Sequence, residues 1–169
     1  MDLRARRVLL AACLIVGTVA IDQGVKQIAR AVLPPGRALR AVPGVLLCLT
    51  QNRGAFLSIG SSLPAAVRFW VLTVGVVAAL FGILAWLLAS RAFPLWPTAG
   101  MSLIVGGGVS NLLDRVKQAG EVTDFLVLSA GRLHTGVFNL ADVAITGGTL
   151  LVLTAFWTRL PADGGSARQ

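Results

Sequence analysis

Four long apolar runs, almost free of charge, constrain this chain more than any other feature. Residues 69–90 carry no charged side chain, and neither do residues 92–113. Residues 137–158 are interrupted only by Asp142, and a further run over 8–21 is also uncharged. A helix needs about 20 mostly apolar residues to cross a bilayer. The sequence therefore predicts an all-α membrane protein whose four transmembrane helices lie at about 8–29, 69–90, 94–113 and 137–158.

Composition agrees with a bilayer environment. The chain is 56% hydrophobic and 13% charged, whereas about 25% of a soluble domain is charged. Its net charge of +8 could indicate nucleic acid, but the basic residues are scattered singly and form no stripe with aromatic side chains. We therefore expect no nucleic-acid partner, and basic flanks that contact membrane lipids. One histidine, His134, and two cysteines without metal-ligand spacing predict neither a metal nor a cofactor.

Two long loops, at about 30–68 and 114–136, should lie on the face opposite the two termini, because four spans return the chain to its starting side. Residues 42–50 are apolar with turn residues near their start, which predicts a short strand or hairpin in a small cap. Residues 1–160 should form one domain, followed by a short cytoplasmic tail at 161–169. The basic cluster of Arg4, Arg6 and Arg7 favours a cytoplasmic N-terminus, although basic residues counted over both faces do not decide it.

Polar side chains collect at those ends of the predicted spans that meet the two long loops. An ionisable residue inside a span costs about 2.5–3.5 kcal/mol, so such residues tend to face partners or a cavity. Asp124 lies in an apolar stretch at 122–128, which we expect to fold back toward the bilayer. The others occupy the ends of three spans, and they are Asp22, Lys26, Asn111, Asp114, Arg115, Asn139 and Asp142.

These residues admit structural as well as functional interpretations. Asp22 with Lys26, and Asp114 with Arg115, could be neutralising ion pairs, and the two asparagines could join helices by hydrogen bonds. Asp124 and Asp142 have no basic residue within a turn of them. Two nearby carboxyl groups share one proton, which suits activation of water by one and protonation of a leaving group by the other. A proton or ion pathway through a transporter uses the same acids and remains open, as does a structural membrane subunit without activity.

Glycines occur where two of the predicted spans could approach other helices. They lie at 106–108 and 147–148, and small residues allow close helix contact in membranes. Ordinary small-residue packing explains them equally well.

Taken together, the polar motifs resemble those of the lipoprotein signal peptidases, also called type II signal peptidases. The resemblance covers nearly the whole chain and consists of five motifs in the family's order. They are Asp-Gln-x-x-Lys at 22–26, Asn-x-Gly-Ala at 52–55, Gly-Gly-x-x-Gly-Asn-x-x-Asp-Arg at 106–115 with Ser110 in place of the third glycine, Val-x-Asp-Phe at 122–125 and Phe-Asn-x-Ala-Asp at 138–142.

The resemblance implies a membrane-embedded aspartyl endopeptidase with Asp124 and Asp142 as its catalytic pair. The implied reaction removes the signal peptide of a prolipoprotein just before a cysteine that carries a diacylglyceryl group. It implies a multi-pass protein of the bacterial plasma membrane, with both termini cytoplasmic, the site near the extracytoplasmic surface and a small extracytoplasmic β-cradle. We expect a monomer. The residues implied to support the pair or contact substrate are Asp22, Lys26, Asn52, Gly54, Asn111, Arg115, Asn139 and Ala141.

Three positions depart from the family's usual pattern. Phe56 follows the Asn-x-Gly-Ala motif directly, where a small residue is usual. Ser110 replaces a glycine beside Asn111, and Val143 replaces a small hydroxyl residue after the second aspartate. These changes bear on the shape of a lipid pocket, while both aspartates and all three asparagines of the motifs are present.

Overall fold

Helices account for most of the computed structural model, which describes residues 2–90 and 94–157. Within these residues, three helices are long and apolar enough to cross a membrane: Leu3–Val32, Ala65–Ala89 and Leu140–Trp157. The first is α1 and the last is α5. The middle one consists of α2 (Ala65–Phe69), a π-helical segment (Trp70–Gly75) and α3 (Val76–Ala89).

Helix α4 (Leu95–Lys117) is the counterpart of the third predicted span. Its glycines and polar side chains lower its mean hydropathy, and many of them are buried by the rest of the protein. By composition and length, the described residues thus supply three of the four expected spans, and α4 is the candidate for the remaining one.

The helix ends differ from the predicted spans by a few residues. Helix α1 begins at Leu3 instead of residue 8, because the Asp2 carboxylate accepts a hydrogen bond from the Ala5 N–H at 2.6 Å and caps the helix there. Helix α2 begins at residue 65 instead of 69, and α4 continues to 117 instead of 113. Helix α5 begins at 140 instead of 137, since Phe138 pairs with a strand. The predicted span end at 158 and tail at 161–169 lie outside the described residues.

Four antiparallel strands form one small sheet in the order β1-β2-β3-β4. The predicted hairpin is confirmed as β1 (Leu39–Val42) and β2 (Val45–Asn52), joined by a turn in which Gly44 has φ of 85°. The predicted loop at 114–136 contains a strand that the sequence does not predict, because residues 122–128 pair with β2 as part of the inner strand β3 (Val122–Ala130). Strand β4 is Leu133–His134.

The sheet covers one end of the helix bundle. Ala29 and Leu33, near the end of α1, pack with Phe125 of β3 in the buried core beneath it. At the opposite end, the Arg7 guanidinium donates to the carbonyl oxygens of Ser90, at 2.6 Å, and Leu87, at 3.0 Å. The start of α1 therefore lies beside the end of α3, and the ends of α1 and α4 meet the start of α5 under the sheet.

Helix α4 lies against α1, α3 and α5, and glycine makes its closest approach possible. A Cβ atom on Gly107 would lie 2.5 Å from the carbonyl oxygen of Ala141, and one on Gly100 would lie 2.8 Å from that of Gly148. The predicted close packing is confirmed for 106–108 and Gly148, but Gly147 has open space beside it. The backbone of α4 can therefore bring Asn111 next to the first turn of α5.

Candidate active site

Asp124 is held on β3 by the register of the sheet. Asn52 of β2 is paired with Val122, so Asp124 is its diagonal neighbour on the same face. One carboxylate oxygen of Asp124 accepts a hydrogen bond from Asn52 Nδ2 at 2.8 Å, and the other accepts from Asn139 Nδ2 at 2.6 Å. The side chain is only 1% exposed.

Asp142 is held in the first turn of α5 by a reciprocal cap. The Asn139 side-chain oxygen accepts from the Asp142 N–H at 2.9 Å, while the Asp142 carboxylate accepts from the Asn139 N–H at 3.3 Å. The second carboxylate oxygen of Asp142 accepts a hydrogen bond from Asn111 Nδ2 at 3.0 Å. A carboxylate at a helix N-terminus is favoured in its ionised form by the helix dipole.

Asn139 therefore touches both acids: its amide nitrogen reaches Asp124 and its backbone N–H reaches Asp142. Both acids are buried, so little water reaches them to screen their charges. The structure brings together the two aspartates that the sequence singled out, on two elements that meet only in the folded chain.

The environment of Asp124 favours its protonated form. Burial raises the pKa of Asp124 to about 7, and the charge of Asp142 adds to the rise. The hydrogen bonds from Asn52 and Asn139 and the charge of Lys26 oppose it and keep the pKa from rising further. Near neutral pH this site can therefore hold a proton that an ordinary aspartate has lost.

Lys26 lies at the centre of a buried charge cluster beside the two acids. Its ammonium group is 2.7 Å from Asp22 and 2.8 Å from Asp114, and it donates to Asn111 Oδ1 at 3.0 Å. These contacts use all three of its donors. Asp114 also pairs with Arg30 at 3.1 Å. In this cluster the negative charges of Asp22 and Asp114 are balanced by the positive charges of Lys26 and Arg30.

The predicted Asp22–Lys26 pair is confirmed, but the predicted Asp114–Arg115 pair is wrong. Asp114 faces α1, while Arg115 donates from Nη2 to the Gly54 carbonyl oxygen at 2.8 Å. Neighbouring residues on a helix point to different faces. Arg115 therefore supports the loop that carries Asn52 instead of neutralising Asp114.

The charge cluster also orients the amide of Asn111. Its oxygen accepts from Lys26 and, at 3.1 Å, from Asn139 Nδ2. Its nitrogen must then face Asp142, to which it donates. Lys26 is thus linked to Asp142 through the Asn111 amide.

Asp22 links α1 to α5 and to α4. One oxygen accepts from the Ala141 N–H at 2.9 Å and the other from the Ser110 hydroxyl at 2.7 Å. Ser110, a departure from the family pattern, therefore contributes a hydrogen bond that glycine could not. Gln23 donates to both Ser110 and Asp114 at 3.1 Å.

Residues 52–55 form a tight turn that fixes the Asn52 amide. Asn52 Oδ1 accepts from the Gly54 N–H at 2.8 Å, so its nitrogen is free to face Asp124. A Cβ atom at Gly54 would lie 2.5 Å from the Ile59 carbonyl oxygen. All ten site residues implied by the motifs therefore belong to the pair or to the hydrogen-bonded network around it. Gln23, Arg30 and Ser110 join them without having been predicted, and Arg30 lies on the same helical face as Lys26.

An apolar cavity of about 300 Å³ opens beside Asp142. Two of the departures from the family pattern, Phe56 and Val143, line it together with Leu57 and Phe138. Leu57 has a φ of 55°, which is uncommon for a residue other than glycine. The cavity can accept an apolar chain next to a carboxylate.

Comparison with known proteins gives one consistent result. A family model described as Signal peptidase (SPase) II matches residues 14–158. A lipoprotein signal peptidase of Nitratidesulfovibrio vulgaris is 34% identical over 147 residues, which cover 86% of this chain and 88% of the relative. One from Streptococcus thermophilus is 35% identical, covering 85% of this chain and 89% of the relative.

Two solved structures share the fold. Both are described as bacterial membrane enzymes determined by the in meso method. The first has a TM-score of 0.78 at 22% identity, with 94% of each chain covered. The second has a TM-score of 0.71 at 24% identity, covering 91% of this chain and 94% of the other. At these identities the likeness concerns the fold alone.

Proposed function

The chain belongs to the signal peptidase II family of membrane aspartyl proteases, and we propose that Asp124 and Asp142 are its catalytic pair. The observation that carries this proposal is the pair of buried acids joined through Asn139. One carboxyl group that holds a proton beside one that does not is the arrangement that aspartyl hydrolysis requires.

We assign the general base to Asp142 and the general acid to Asp124. The Asn139 N–H and the Asn111 amide both donate to Asp142, at the N-terminus of α5, and stabilise a negative charge there, while burial favours the proton on Asp124. Asp142 takes a proton from water as the water oxygen attacks the carbonyl carbon of the scissile peptide bond. Asp124 gives its proton to the departing amine nitrogen, and the C–N bond breaks.

The substrate class follows from the family: prolipoproteins. We propose that the bond cleaved is the one just before a cysteine that carries a diacylglyceryl group. The apolar cavity beside Asp142 supports this, because an acyl chain seated among Phe56, Phe138 and Val143 would hold the lipidated cysteine next to the carboxylate. Membrane lipid would deliver such a substrate from the side.

We also propose the arrangement in the membrane. Helix α4 serves as the fourth span of one domain at 1–160, and the protein works as a monomer. Arg4, Arg6 and Arg7 lie at the end of the bundle opposite the sheet, which supports cytoplasmic termini. The acids and the sheet would then lie near the outer surface of the bacterial plasma membrane.

A transporter, the alternative that the residues alone left open, is not supported, since the relatives are named as peptidases. Purified protein in detergent is expected to shorten a diacylglyceryl-modified precursor on a gel and to leave the unmodified precursor intact. Lack of any shorter product would contradict the enzyme assignment. Equal cleavage of both precursors would contradict the lipid requirement.

The pKa of Asp124 predicts a pH profile. Above pH about 7 the proton of Asp124 is lost, so kcat/KM should fall about tenfold per pH unit beyond that point. Asn52→Ala removes a hydrogen bond that stabilises the ionised form of Asp124. The pH at which kcat/KM begins to fall should therefore rise by about one unit. Initial rates on one precursor from pH 5 to 9, at constant ionic strength, would measure both. If kcat/KM of Asn52→Ala begins to fall at the same pH as that of wild type, the assignment of the proton to Asp124 is contradicted.

A further inference from the structure

A second cavity, of about 570 Å³, opens between α2 with its π-helical continuation and the end of α4. Unlike the apolar cavity beside Asp142, it is lined by three arginines, Arg53, Arg68 and Arg115, together with Glu121. These charges leave it with a net of two positive charges. The apolar part of its wall comes from Phe69 and other residues of the membrane-facing helix.

Two of the three arginines make no ion pair among the residues that the structure describes. Arg53 pairs with Glu121 at 2.7 Å. Arg68 donates to two neutral carbonyl oxygens, those of Ser61 and Leu63. Arg115, whose side chain is nine-tenths buried, donates to the neutral Gly54 carbonyl, and its buried Nε has no hydrogen-bond partner within the described part of the chain. A buried guanidinium nitrogen without an acceptor is costly.

Phosphate oxygens would satisfy these donors. Arginine binds phosphate through two parallel N–H donors, and several arginines around one cavity select an anion. The neighbouring surface is apolar and aromatic: Phe69 is 54% exposed and Trp70 is 64% exposed, which is typical of a helix surface at the level of lipid headgroups. A phosphate attached to acyl chains fits both the arginine donors and the apolar surface beside them. A free ion fits only the arginine donors.

We propose that this cavity binds the phosphate group of an anionic phospholipid, at a site separate from the catalytic pair. Arg68 and Arg115 contact the phosphate, Arg53 contributes to the positive charge of the cavity, and the acyl chains lie along Phe69 and Trp70. Because Arg115 also holds the Gly54 carbonyl, and Gly54 fixes the amide of Asn52, a bound lipid steadies the turn that donates to Asp124.

Lipid retention by the full-length protein tests the site without relying on catalysis. Native mass spectrometry from detergent would compare dioleoyl phosphatidylglycerol with dioleoyl phosphatidylcholine, on wild type and on Arg53→Gln/Arg68→Gln. We expect phosphatidylglycerol to be retained in preference, and its affinity to fall about 25-fold in the double variant, at about five-fold per arginine. The matched control is Arg40→Gln/Arg132→Gln, which removes two exposed arginines near the same sheet and should change affinity less than about two-fold.

Three outcomes would overturn the proposal. They are equal retention of the two lipids, an equal loss of affinity in the control variant, and a rise in thermal midpoint with inorganic phosphate as large as that with phosphatidylglycerol. The last would identify a free-anion site. Repeating the measurement on Asp124→Asn, which we expect to bind lipid as wild type does, keeps the result independent of the proposed catalytic pair.

Discussion

Asp124→Asn and Asp142→Asn are each expected to abolish processing of a diacylglyceryl-modified precursor, lowering kcat/KM by about 10²–10⁴-fold. Asparagine has nearly the size of aspartate and can still accept a hydrogen bond through its side-chain oxygen. It can neither take a proton from water nor give one to the leaving amine. Initial rates from a gel-shift assay, with purified variants in the same detergent, would measure the loss.

The control for this experiment is Asp2→Asn, which changes a carboxylate to an amide far from the site and keeps a good helix cap. It should process precursor as wild type does. Full cleavage by either Asp124→Asn or Asp142→Asn would remove that residue from the catalytic pair.

Folding of Asp124→Asn can be checked by its dependence on pH. The pKa of Asp124 in the folded protein, about 7, lies above its ordinary value of 3.8. The stability that the protonated group contributes is therefore present below pH 3.8 and is lost as pH rises through 7. Asparagine stays neutral at every pH, so the thermal midpoint of Asp124→Asn should fall less than that of wild type between pH 5 and pH 8. An equal fall in the two proteins would contradict the raised pKa of Asp124.

The helices could be predicted from the sequence because lipid imposes a composition on the residues that face it. Residues 69–90 show this most clearly, and the structure only extends their helix to residue 65. Helix α4 is less apolar because it is buried by protein on several sides, so composition describes it poorly. Strand β3 could not be predicted, since its residues gain their partners from β2, which lies far earlier in the chain and is separated from it by helices α2, α3 and α4.

The members of the site could be predicted from motifs, but their contacts could not. Asp114 and Arg115 are neighbours in sequence, yet they face different elements, and helix geometry alone argues against pairing them. Arg30 was missed although it follows Lys26 by one helical turn. The motifs predict for Ser110 only a change in the shape of a lipid pocket. Its hydroxyl instead donates to Asp22, a contact that depends on how closely α1 approaches α4.

Lys26→Met is expected to be the most destabilising single change in the cluster. It removes the cation shared by Asp22 and Asp114, both fully buried, and leaves two negative charges against Arg30 alone. Breaking a buried ion pair from one side costs about 3–5 kcal/mol, because the remaining charge is uncompensated. Denaturant unfolding in mixed micelles would measure the change in the free energy of unfolding. Lys117→Met, which removes an exposed lysine at the end of α4, is the matched control and should have little effect.

A second substitution separates charge from position. In Lys26→Met/Asp22→Asn the charges balance again, because Asp114 keeps Arg30, and the side-chain oxygen of the new amide can still accept from the Ala141 N–H. About 2 kcal/mol of the lost stability should return. Processing should stay about tenfold or more below wild type, since Asn111 has lost the donor that turns its amide toward Asp142. A double variant as unstable as Lys26→Met would show that charge balance is not what stabilises the cluster. One that regains full activity would show that Lys26 does not position the catalytic pair.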